Sequence, residues 1–151
     1  MNVANQSVLG SGHCSPKMPL CPWPNSGSTG NFDVDPLPWW RTRLPSEFTS
    51  EDAATVRVAL HSTVLPTEIG WEGAVGGNIT SAIRIGVNTL KTCSITDFDV
   101  DLSMSALLAC AIDGEITAGI LISSALRRRA HIDAPCRLLG DLWLITDFAG
   151  A

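Results

Sequence analysis

From Met104 to Leu126 the chain is almost wholly apolar, and Asp113-Gly114-Glu115 interrupts the run near its middle. The length alone would cross a bilayer, and Arg127, Arg128 and Arg129 would suit a cytoplasmic end. An Asp at the centre of such a span costs about 2.5–3.5 kcal/mol on insertion scales, and Glu115 adds to that cost. A folded hairpin accounts for the same letters without it, so no membrane span is expected. Asp-Gly between apolar runs is a strong hairpin signal, because both positions of the tight turn take positive φ.

The residues before the turn point the same way. Phe98, Val100, Leu102 and Met104 alternate with Asp97, Asp99, Asp101 and Ser103. Period two is the signature of a strand with one wet face. That strand continues through Ala106–Ile112, and Ile116–Ser123 returns as its partner. Leu142–Phe148 reads as a last strand. A competing reading makes Ser103–Ile112 a helix, since Ala, Leu and Met favour helix and Gly114 would close it.

Two helices precede the strands. Thr49 or Ser50 can cap the first, Glu51 and Asp52 place negative charge in its first turn, and Ala53, Val56, Leu60 and Val64 form its apolar stripe up to Pro66. Residues 66–78 read as a glycine-rich loop. A second helix starts at Asn78, with Ile79, Ala82, Ile83, Ile85, Gly86, Val87 and Leu90 on one broad face.

Residues 1–45 differ from the rest. Pro, Gly, Ser and Asn are dense there and no hydrophobic period is visible, so the segment cannot bury enough surface to fold alone. It nonetheless carries Trp23, Phe32, Trp39 and Trp40, which suits an extended arm anchored by its aromatics. With 151 residues and 45% hydrophobic content, residues 46–151 fit one α+β domain: one or two helices on a small antiparallel sheet. The order of a glycine-opened helix, long strands, Ala134-Pro135 and Gly140-Asp141 resembles that of hot-dog thioesterases over about half the chain. The acidic residue such enzymes carry on their central helix has no counterpart after Gly77, and the chain is not assigned to that family.

The net charge of −5 argues against a nucleic-acid binder that relies on bulk positive charge. The N-terminal residues lack the pattern of a secretory signal. Five cysteines, an odd number at irregular spacing, do not form a disulfide framework, so a reducing cytoplasm is expected.

The polar residues suggest a few sites. On a strand, Asp97, Asp99 and Asp101 would share one face and could hold a divalent cation that activates water. A solvated strand face carries the same letters, and Leu102 stands where the glycine of a calcium loop would be. His13, Cys14 and Cys21, or His131 and Cys136, lack the close cysteine pairs of a zinc site. Gly73–Asn78 lacks the Lys and Ser/Thr of a phosphate loop, and no Gly-x-Ser-x-Gly elbow occurs. His61 suits the negative end of the first helix. Trp39, Trp40, Arg41 and Arg43 combine residue types that are enriched at protein interfaces.

The sequence therefore leads to a non-catalytic binding or protein-interaction module, working as a homo-oligomer and able to take a small apolar ligand. No cofactor is expected beyond that cation. The alternative is a small hydrolase, either metal-assisted through the acidic face or thioester-directed through an apolar pocket.

Overall fold

The chain divides into two units, Met1–Phe32 and Asp33–Ala151. A computed structural model describes residues 35–63 and 69–146, all within the second unit. Among the described residues there is no strand. Seven α-helices follow one another: α1 (Trp39–Thr42), α2 (Ser50–His61), α3 (Trp71–Val75), α4 (Ile79–Thr92), α5 (Phe98–Ile112), α6 (Ile116–Arg129) and α7 (Pro135–Ile145), with a 3₁₀ turn at Pro45–Glu47. The expected α+β architecture, its antiparallel sheet and the likeness to hot-dog enzymes are thereby overturned.

The reason lies in α5. Twelve of its fifteen residues are buried, on every side of the helix. α1, α2, α3, α4 and α6 all pack against it. A helix apolar all round belongs inside a protein, and it shows no one-sided 3.6-residue stripe to announce itself. The two-residue alternation at its start is a coincidence of composition. Phe98 faces solvent, 56% exposed, while Val100 and Met104, which share a face, and Leu102, which lies nearly opposite, are all buried. Ala106, Ala109 and Ala111 give helical propensity and let the neighbouring helices approach closely.

The Asp113-Gly114 turn has a different use. Gly114 has φ +99°, its N–H donates to Ala111 O at 3.0 Å, and the Glu115 N–H donates to Cys110 O at 3.1 Å. This pair of bonds is the Schellman ending of a helix, not a two-residue hairpin turn. Of the two positive φ angles that the hairpin signal requires, only that of Gly114 is present, since Asp113 has φ −74°, and the turn joins two helices instead of two strands. The expected strand Ile116–Ser123 lies in α6, and most of Leu142–Phe148 lies in α7, which Pro135 opens at a position where its missing N–H costs nothing.

The other elements follow local rules. Thr49 caps α2: its N–H and hydroxyl both donate to Asp52 Oδ2, at 2.7 and 2.9 Å. Ala53, Val56 and Leu60 face the core as their spacing requires. The segment expected to be loop contains α3, which buries Trp71, Ala74 and Val75 and ends at Gly77 with φ +93°. The Asn78 side chain accepts from the Ser81 N–H at 3.0 Å and starts α4. α4 crosses α5 at Gly86, where a Cβ would lie 2.6 Å from Leu107 Cδ1. α6 and α7 meet at Gly140, where a Cβ would stand 3.2 Å from the Ser123 carbonyl oxygen; the Ser123 hydroxyl donates to Gly140 O at 2.7 Å.

Candidate functional site

Two groups of residues that sequence reasoning treated separately meet in space. Asp101, from the acidic series, receives three donors from the aromatic-basic group: Trp40 Nε1 to Oδ1, Arg41 Nε to Oδ1 and Arg41 Nη2 to Oδ2, each at 2.9 Å. Trp40 is fully buried. The hydrogen bonds it donates to Asp101 hold the Arg41 guanidinium above its ordinary pKa, against the opposing effect of burial. Beneath them the Ser105 hydroxyl bridges Leu37 O at 2.6 Å and Asp101 O at 2.7 Å. The described part of the expected arm, residues 35–45, is thus fastened to α5 through Leu37, Trp40 and Arg41.

Arg43 is also occupied. It pairs with Asp52 at 3.0 Å, donates to Glu47 O at 3.0 Å, and lies between the rings of Trp39 and Phe48 at 4.6 and 4.7 Å. Phe48 in turn packs 5.9 Å from Trp143 of α7. Trp39, Trp40, Arg41 and Arg43 therefore knit the N-terminal turns to α2, α5 and α7. Trp23, Phe32, His13, Cys14 and Cys21 lie outside the described residues.

The helix disperses the rest of the acidic series. Asp97 closes the preceding turn by accepting from the Ser94 N–H at 2.8 Å, Asp99 is exposed in the first turn of α5, and Asp101 is consumed by Trp40 and Arg41. Among the described residues no three His, Cys, Asp or Glu side chains gather as metal ligands would. His61 occupies the last turn of α2, and His131 is exposed beyond α6. Cys136 is buried and donates to Asp133 Oδ2 at 3.4 Å; burial, joined by the Asp133 carboxylate, pushes its thiol up to about 11.

The arginine run has three separate tasks, since successive helical residues turn by about 100°. Arg127 pairs with Asp141 of α7 at 2.7 Å, Arg128 donates to Leu90 O at the end of α4, and Arg129 donates to Ile95 O at 3.2 Å. None of the three is left to form a patch.

What remains for function is apolar. Six of the nine large exposed hydrophobic residues in the described part fall between Ile116 and Ile145. A groove of about 200 Å³ opens where the start of α6 meets the end of α7. Gly119 and Trp143 form its floor; Ile116, Ile120, Leu144 and Ile145 rise around it, and Glu115 is its one charged wall. Ile116 is 74% exposed and Ile145 77%. Reading these segments as strands hides this surface, because it exists only where the start of α6 meets the end of α7. Among the described residues no helix is long and apolar enough to cross a membrane. No protein-family model, curated protein or solved structure matches the chain significantly.

Proposed function

We propose that the chain is a non-catalytic interaction module that works as a homo-oligomer through the α6–α7 face. One observation carries this reading. α7 buries Cys136, Leu139, Gly140 and Trp143 on one side, and carries Leu138, Leu142 and Ile145 on the opposite side. Leu138 is 67% exposed and Ile145 77%. A helix that is apolar on two opposite sides is built to be covered on both. The groove favours a protein surface over a free ligand: about 200 Å³ accommodates a side chain or two, below the roughly 300–1,000 Å³ of small-molecule pockets. The free thiols of Cys93, Cys110 and Cys136 suit a reducing compartment such as the cytoplasm.

No observation on the described residues favours the hydrolase alternative. Its acidic face needed a strand, and its thioester version needed a sheet. Light scattering on the full chain tests the reading. A particle larger than one 16.0 kDa chain at micromolar concentration is expected, reduced to one chain by Ile120→Asp with Ile145→Asp. A parent protein that stays a single chain at every concentration overturns it.

A further inference from the structure

The uncovered side of α7 has a pattern of its own. Leu138, Leu142 and Ile145 are spaced four and three residues apart, the alternation that forms the seam of a helix pair. Leu138 and Ile145 are seven residues apart and so point almost the same way, with Leu142 between them. Such a stripe is nearly symmetric end to end. It can meet a copy of itself running in the opposite direction, with Leu142 near the two-fold axis and Leu138 against Ile145 of the other copy.

Charge agrees with that register. Arg137 and Leu144 share one flank of α7, again seven residues apart, and Leu144 stands on the groove beside Glu115. Opposed helices bring the start of one flank to the end of the other. Arg137 of one copy then reaches the groove of the second, where Glu115 waits. Both residues are exposed and neither is ion-paired among the described residues. The one carboxylate that the axis would bring toward its own mate, Asp141, is neutralised by Arg127 at 2.7 Å.

We infer that α7 pairs antiparallel with α7 of a second copy of this chain about a two-fold axis near Leu142, each Arg137 pairing with Glu115 of the other copy. The inference rests on the self-association reading and adds its partner surface and register. Like residues contact unlike ones reciprocally, as a closed two-fold interface requires.

Sedimentation of the full chain tests it, with helix content followed by circular dichroism. The parent should be a dimer. Arg137→Glu alone and Glu115→Arg alone should each weaken it about tenfold, because each places two like-charge pairs in the interface. The double reversal should return the dimer to within about threefold of the parent. Leu138→Asp should give a folded single chain; should that variant lose its helix content, the charge reversals on exposed positions still decide. A dimer abolished by Leu138→Asp, but in which the single reversals change nothing or the double reversal restores nothing, overturns the register and leaves self-association standing. A parent that is a single chain overturns both, including the case in which hydrogen exchange finds α7 protected by its own chain. A dimer indifferent to every change at 115, 137 and 138 overturns the α7 surface.

Discussion

Arg41 and Asp101, sixty residues apart in the chain, meet fork to fork, with both N···O distances at 2.9 Å. The Asp101 carboxylate also accepts from the buried Trp40 indole, so one side chain answers three donor groups from two residues of α1. The pair is largely shielded, with side-chain exposures of 25% and 17%. Charge-assisted bonds in such a setting are worth more than those of a surface pair.

Asp101→Ala should therefore lower unfolding free energy by about 2 kcal/mol, and Arg41→Ala by less, because Trp40 keeps its acceptor in the second variant. Urea melts of the two variants at one pH give the comparison. Equal losses would show that the indole bond adds nothing.

Acid should loosen α2 through Asp52. Burial works to raise this carboxyl, but the Thr49 N–H, the Arg43 guanidinium and the Thr49 hydroxyl together outweigh it and hold it below the ordinary carboxylate range. A carboxyl held low in the folded chain adds stability above its unfolded value and loses it as pH falls through the folded value. Part of the stability should thus disappear from about pH 5 downward. Asp52→Asn should remove that part of the slope and cost about 1 kcal/mol at pH 7. Melts taken at steps of pH on both proteins measure it.

Thiol chemistry should separate the described cysteines. Burial raises the Cys110 thiol, outweighing the nearby Arg57, and Cys136 is raised to about 11, mainly by burial. Only the thiolate reacts readily, and both side chains are enclosed. Iodoacetamide at pH 8 should label the half-buried Cys93 at least about tenfold faster than either, with the difference vanishing in urea. Peptide mass mapping over time reads the three rates.

Gly86→Ala should destabilise by about 1–2 kcal/mol, although alanine is favoured over glycine inside a helix by about 1 kcal/mol. The new Cβ would stand 2.6 Å from Leu107 Cδ1, and Leu107 is fully buried with little room to turn. Leu107→Ala in the same chain should recover part of the loss, a coupling of about 1 kcal/mol in a double-mutant cycle. Simple additivity would show that α4 shifts instead.

The helices that show one face to water were legible. Thr49, Asp52 and the Ala53–Val56–Leu60 stripe announce α2, and Asn78 with its broad apolar face announces α4. The enclosed helix was not, because amphipathic period is a sign of partial burial and α5 is buried on all sides. The sequence marks both Asp113 and Gly114 for positive φ, and only Gly114 has it, because a helix end needs one such residue where a tight hairpin turn needs two. Of the candidate residues, Trp40, Arg41 and Asp101 were each singled out. Their joining spans sixty residues of chain, which no local pattern encodes. A hairpin at Asp113-Gly114 leaves no place for the α6–α7 surface, which needs both segments to be helices.

The way α5 is enclosed bears on how the molecule comes into being. A post surrounded on all sides has no stable half-built form: with any one wall missing, a strip of leucine and alanine is left bare to water. The chain therefore gains little from assembling its walls one by one. Full burial of residues 98–112 needs segments from both sides of it in the chain, α1 to α4 before it and α6 after it.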